Sequence, residues 1–274
     1  MRYLTSLRNW IVVLLCAFSF NATASKIAIV IDDIGYKQSD KKLIDMNEAL
    51  TYAVLPHTPL GTKLAQQATL KNRDVIIHLP MQAHSDNRLL GPGALYSKMT
   101  KSEYQQTLVS AMEDLPFAIG VNNHMGSLLT QQSRPMSWTM EFLRQHNLFF
   151  LDSRTTKYSK VAQVADDFGV DTINRNVFLD HNRSPAAIRK QFYRLIKVAK
   201  RDGHAVAIGH PHPETYAVLK EQLPKLSSMG IELVPLSDLM KQTSSNSLFA
   251  NKLEDNEEAP DILSNSTEDY APKE

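Results

Sequence analysis

At 274 residues, 43% of them hydrophobic, the chain is long enough for one large domain with a sizeable core, and wholesale disorder is excluded. Its formal net charge of +1 is too mild, and its basic residues too scattered, for a nucleic-acid-binding surface. The single cysteine, Cys16, excludes a disulfide framework.

The first 24 residues differ from the rest. Arg2 and Arg8 flank the start, an apolar run "WIVVLLCAFSF" of 11 residues follows, and Ala22-Thr23-Ala24 forms a small-residue cleavage site before Ser25. This is the pattern of a secretory signal peptide. The apolar run is too short to span a bilayer comfortably, so no stable membrane span is expected after cleavage; an uncleaved N-terminal anchor is the lesser alternative. Cys16 leaves with this segment, and the "VVLL" before it lacks the small residues that precede a lipidated cysteine. An exported chain without cysteine is expected in a bacterial periplasm.

From residue 25 to 240, β-like apolar runs alternate with helical stretches. The strand candidates, in order, are "KIAIVI" (26–31), "LTYAVL" (50–55), "DVIIHL" (74–79), "FAIGVN" (117–122), "LFFLD" (148–152), "VFLD" (177–180), "AVAIGH" (205–210) and "IELVPL" (231–236). Between the third and fourth, "KSEYQQTLVSAMEDL" puts Tyr104, Leu108, Ala111 and Leu115 on one helical face, with Ser102 as the expected N-cap. Between the sixth and seventh, a helix is expected to open at Ser184-Pro185, carry Ile188, Phe192, Leu195 and Val198 inward, and stop at Gly203. Strands that are apolar throughout are buried on both faces. About eight such repeats predict a parallel sheet closed, or nearly closed, into a (β/α) barrel; a doubly wound open sheet is the alternative, since periodicity does not decide closure. The last segment, 241–274, holds three Lys against eight Asp or Glu without periodicity. It is expected to be a disordered acidic tail, and its composition names no partner.

In a (β/α) barrel, chemistry gathers at the C-terminal ends of the strands. The first strand ends on Asp32-Asp33 and the third on His78. The fourth runs into "NNHMGS", with Asn122, Asn123 and His124. The fifth ends on Asp152, with Arg154 two residues later; the sixth ends on Asp180-His181, and the seventh on "GHPHPET", with His210 and His212. Each has an ordinary explanation alone: a helix cap for Asp152, a turn for Asp32-Asp33 before Gly35, a hydrogen-bonded structural histidine elsewhere. Those causes are independent and do not explain why so many such residues fall at strand ends. The joint pattern predicts a site centred on one divalent ion. Two imidazoles and a carboxylate suit zinc with one position open to water, and also suit other divalent transition ions. The second Asp of the pair is then available to take a proton from that water.

The motifs "IVIDDIG", "IIHLPM", "NNHMGS", "FLDSRT" and "IGHPHPET", in this order, resemble the divergent polysaccharide deacetylase family, outlying relatives of the NodB-type carbohydrate esterases. The resemblance covers about residues 25 to 240. It implies an irregular (β/α) barrel of about seven strands and metal-dependent removal of acetyl groups from a polysaccharide. By position it implies Asp32 as general base and Asp33 and His78 as metal ligands. It further implies His210 as general acid, with Asp152 as the carboxylate that orients it. The usual deacetylase has a second metal histidine four residues after the first; here that position is Gln82, and His84 is six residues away. His124 is the expected replacement, because neighbouring strand ends are adjacent in a barrel. The usual arginine-proline-tyrosine motif is absent from that region. Asn122, Asn123, Arg154 and His212 are expected substrate contacts or partners of the metal ligands.

The expected activity is hydrolysis of acetyl groups from a cell-envelope polysaccharide such as peptidoglycan. The rival is a protein of the same fold that binds carbohydrate without turning it over. A metal-dependent phosphoesterase is a third reading, which a second metal and more basic residues would favour. Tyr36, Tyr96, Trp138 and Tyr158 are either sugar-stacking platforms or packed aromatics.

Overall fold

The sequence "SKIAIVIDDI" forms the first strand, β1 (Ser25–Ile34), because its β-branched residues suit a pleated surface and both faces are covered. The computed structural model describes residues 24–242. The expected signal peptide, except Ala24, and the acidic tail from residue 243 lie outside the described residues. No described helix is long and apolar enough to cross a membrane.

Along the chain come β2 (Thr51–Val54), α2 (Gly61–Leu70) after a short α1 (Lys41–Ile44), β3 (Val75–Met81), α3 (Lys101–Asp114) and β4 (Gly120–Met125). Then follow α4 (Ser133–Gln145), β5 (Phe149–Asp152), α5 (Val161–Phe168), β6 (Thr172–Asn174) and β7 (Val177–Phe178). The chain continues through α6 (Pro185–Asp202), β8 (His204–Gly209), α7 (Pro213–Gln222) and β9 (Ile231–Leu233). All strand pairs are parallel, in the order β6-β5-β4-β3-β2-β1-β8-β7, with β9 pairing the first residues of β1. The two edge strands, β6 and β7, are consecutive in sequence and separated only by Arg175 and Asn176. Three Cα steps reach at most about 10 Å, so the sheet must curl until its edges meet. Arg175 N–H donates to Asp152 on one side of the seam and Asn176 N–H to Val206 on the other. The result is the irregular (β/α) barrel expected, open only at this seam.

Side chains alternate across β1. Ile27, Ile29 and Ile31 face the helices, while Ala28 and Val30 pack inside the barrel with Ala53, Ile76, Leu151, Val206 and Ile208. Leu236, Leu239 and Met240 complete that inner cluster. They belong to a helical turn over 236–242, anchored at the N-terminal ends of the strands: Leu236 N–H donates to Thr51 Oγ1 and Ser237 N–H to Asp74. The floor of the barrel is therefore apolar and plugged, and polar side chains collect at the opposite rim.

The expected strands all form, with shifted limits, and β6 adds one from the polar "TIN". The fourth starts at Gly120 and runs on through the polar "NNHM", because β3 extends to Met81 and pairs Pro80 with His124. The cap of α3 is Thr100, which shares a capping box with Glu103, and not Ser102. Helix α6 starts behind Ser184 and stops at Gly203, whose φ of 80° suits a residue without Cβ.

Candidate active site

The apolar β1 ends in a bulge. Ile31 pairs with Tyr52 but Ile34 with Val54, so three steps on β1 oppose two on β2, and Asp33 adopts a φ of 58°. Asp32 follows the inward alternation of Ala28 and Val30. The bulge turns Asp33, which regular alternation would send outward, to the same side. The following turn is held by Asp40, whose carboxylate accepts the N–H groups of Gly35 and Lys37 at 3.2 and 3.1 Å. Gly35 has a φ of 137°, and a Cβ there would lie 2.1 Å from Thr58 Oγ1, so only glycine fits.

Asp33, His78 and His124 converge. Asp33 Oδ1 is 3.2 Å from His78 Nε2 and 3.1 Å from His124 Nδ1, and those two nitrogens are 3.0 Å apart. Ligands held 2.0–2.1 Å from a tetrahedral zinc stand about 3.3 Å from one another, so the triangle has the size of a three-ligand face. Asp33 Oδ1 is buried and has no hydrogen bond despite both neighbours. The far nitrogens have acceptors: His78 Nδ1 lies 2.8 Å from Asn122 Oδ1, and His124 Nε2 lies 3.4 Å from the Leu89 carbonyl. Protons placed there leave lone pairs pointing into the triangle, as ligands to a cation require. These residues fit a divalent ion. The Asp180, His210 and His212 side chains also lie close together, but Asp180 already serves His210 and Thr215.

Asp32 and His210 flank the triangle. Asp32 Oδ2 is 3.6 Å from His78 Nε2, and His210 Nε2 is 3.8 Å from Asp33 Oδ2. Burial raises the Asp32 pKa, which the positive charge of His78 and His210 only partly offsets. Burial acts the same way on Asp33, but its contacts with His124 and His78 outweigh it and hold the carboxyl well below the usual range. His210 loses hydration on burial, yet the hydrogen bond and charge of Asp180 raise its pKa to about 9.

The carboxylate on His210 is Asp180, not the expected Asp152. Asp180 Oδ1 lies 2.9 Å from His210 Nδ1, and Oδ2 accepts the His210 N–H and the Thr215 hydroxyl. Strand register explains the difference: Phe178 pairs with Ile208, so two residues further Asp180 stands beside His210. Asp152 follows the inward Leu151 and therefore turns away from the interior; its Oδ1 accepts the Arg154 N–H at 2.7 Å.

Of the residues expected as substrate contacts or partners of the metal ligands, two are inaccessible to substrate, and Asn122 takes the second role through His78 Nδ1. Asn122 is 0% and Asn123 1% exposed. Asn123 braces the rim, accepting the Ser153 N–H and donating to the Met125 carbonyl. Arg154 is directed at Asp152, 3.7 Å away. His212 does line the cavity, stacked at 5.7 Å on His210. Gln82 clamps the loop after β3 through Ser97 N–H and Oγ–H, and His84 points to Gln131, so neither joins the triangle. Of the aromatics considered, Tyr36 lines the cavity; Trp138 packs on Tyr104, and Tyr158 lies under Lys157.

The cavity above the triangle has a volume of about 190 Å³ and is walled by Asp33, Tyr36, Leu55, Leu89, His124 and His210. A larger one of about 840 Å³, beside His57 and Lys98, contains none of the converging groups. Chemistry, not size, singles out the smaller.

The divergent polysaccharide deacetylase family model matches residues 29–240. The uncharacterised protein YibQ of Escherichia coli is 39% identical over 229 residues, covering 83% of this chain and 71% of its own. An uncharacterised protein of Haemophilus influenzae is 36% identical over 239 residues, covering 86% and 85%. The crystal structure of an uncharacterised Agrobacterium tumefaciens protein shares the fold, with a TM-score of 0.76 at 21% identity over 80% of this chain and 90% of that one.

Proposed function

The chain belongs to the divergent polysaccharide deacetylase family, and on that premise we propose that it is a metal-dependent hydrolase removing acetyl groups from a cell-envelope polysaccharide. The observation that carries this reading is the convergence of Asp33, His78 and His124 at 3.0–3.2 Å, with a buried carboxylate on one side and a carboxylate-paired histidine on the other. A divalent ion held there, zinc by preference, supplies Lewis-acid polarisation of an acetyl carbonyl and acidifies water. Asp32, its basicity increased by burial, accepts the proton of the attacking water. His210, protonated at neutral pH and held through Nδ1 by Asp180, delivers a proton from Nε2 to the departing amine or alcohol. Tyr36 and Leu89 offer apolar edges to the sugar at the mouth of the cavity. The leading segment sends the chain to the periplasm, where peptidoglycan is the abundant acetylated polymer.

Carbohydrate binding without turnover is the second reading, favoured by Gln82 at the position of the usual second histidine. His124 at the third corner of the triangle, and proton-transfer groups that simple binding does not need, favour hydrolysis. The test is acetate release from purified peptidoglycan and from N-acetylglucosamine oligomers. Release should stop on chelation, return with zinc and be absent in Asp32→Asn, which should still retain the ion. A metal-loaded parent that binds these glycans and releases no acetate would establish the second reading instead.

A further inference from the structure

The fully buried amide of Asn122, on β4, lies between the two halves of the site. Its Oδ1 is 2.8 Å from His78 Nδ1, and its Nδ2 donates to Asp32 Oδ1 at 2.9 Å and to Ser153 Oγ at 3.3 Å. These neighbours fix which way the amide faces. Turned over, Oδ1 would meet the Asp32 carboxylate acceptor to acceptor. With Oδ1 facing His78, Nδ1 carries the proton and Nε2 presents its lone pair to Asp33 and His124. With Nδ2–H on Asp32 Oδ1, the second oxygen, Oδ2, is the one left free near the triangle. A carbonyl at this place would orient His78 but leave Asp32 without a donor; a hydroxyl or amine would not serve both at this span. Register puts the side chain there, since His78 pairs directly with Asn122.

We propose that Asn122 is a positioning residue that sets both ends of the site through one amide. It selects the nitrogen of His78 that faces the cation and the oxygen of Asp32 that faces the attacking water. The second half rests on the reading of Asp32 as the base; the first does not.

Two variants separate the halves. Asn122→Asp keeps an acceptor for His78 but sets a second carboxylate against Asp32, and two carboxylates at this distance share one proton, which disables the base. Asn122→Leu removes both contacts at similar volume. Zinc affinity should stay within about threefold of the parent in Asn122→Asp and fall about 10–100-fold in Asn122→Leu. With 4-methylumbelliferyl acetate as probe, kcat of zinc-loaded Asn122→Asp should fall about 100-fold at unchanged KM. A readout needing no variant is the imidazole ¹⁵N spectrum of the zinc-loaded parent, in which His78 Nδ1 should be protonated and Nε2 zinc-bound.

An unprotonated His78 Nδ1, or parent-like zinc affinity in folded Asn122→Leu, would overturn the first half. Parent-like kcat in Asn122→Asp would overturn the second. A parent that hydrolyses no ester would refute the assignment of Asp32 as base, while the ¹⁵N spectrum and zinc affinities would still decide the role at His78.

Discussion

Replacing Asp180 by Asn should release His210 from its protonated state, and replacing Asp152 should not. In the metal-free protein, against the opposing effect of burial, the hydrogen bond and charge of Asp180, with smaller contributions from Asp33 and Asp32, lift His210 from 6.5 to about 9. That rise corresponds to about 3 kcal/mol of preference for the imidazolium. The His210 side chain is 18% exposed, so solvent screening makes this an upper limit. The sign follows from linkage: a group whose pKa is higher folded than unfolded stabilises fully below pH 6.5 and loses that contribution as pH rises through about 9. Urea unfolding of metal-free parent and Asp180→Asn should therefore differ most near pH 6 and converge towards pH 10. The two further hydrogen bonds that Asp180 accepts, from the His210 N–H and the Thr215 hydroxyl, add a part that does not titrate in this window. The direct assay is an NMR titration of His210, with Asp152→Asn as the control. An unmoved His210 titration in Asp180→Asn, or an equal fall in Asp152→Asn, would refute the assignment.

Two further outcomes test the scaffold around the triangle. Gly35→Ala forces a Cβ against Thr58 in a backbone conformation closed to alanine, and should lower stability by about 1–3 kcal/mol in thermal unfolding and weaken zinc binding through the displaced Asp33 turn. His84→Ala should leave zinc affinity unchanged in a metal titration, because His84 is exposed and directed at Gln131; a tenfold loss would place it among the ligands.

Much of the barrel is legible because its signals are local. Apolar runs such as "KIAIVI" and "AVAIGH" mark buried strands, and Ser184 and Gly203 mark the ends of α6. The three-donor cluster is legible because Asp33, His78 and His124 stand at strand ends, where a barrel brings them together. What the sequence hides depends on register. Asp152 and Asp180 both end strands, yet only Asp180 has the inward phase and the pairing that set it beside His210. Asn122 and Asn123 read as polar rim residues, but the length of β3 extends β4 through them and buries both. The bulge that brings Asp33 round to the side of Asp32 has no sequence marker beyond Gly35, and β6 is too short and polar to announce itself.

The most direct measurement of the account is the divalent metal content of the mature protein after zinc loading and desalting, beside folded Asp33→Ala and His124→Ala variants. The account predicts about one tightly held ion per chain in the parent, as a three-ligand site requires, and none in either variant. A folded parent that retains no metal, or variants that retain it fully, would contradict the assignment of Asp33, His78 and His124 as the ligand set.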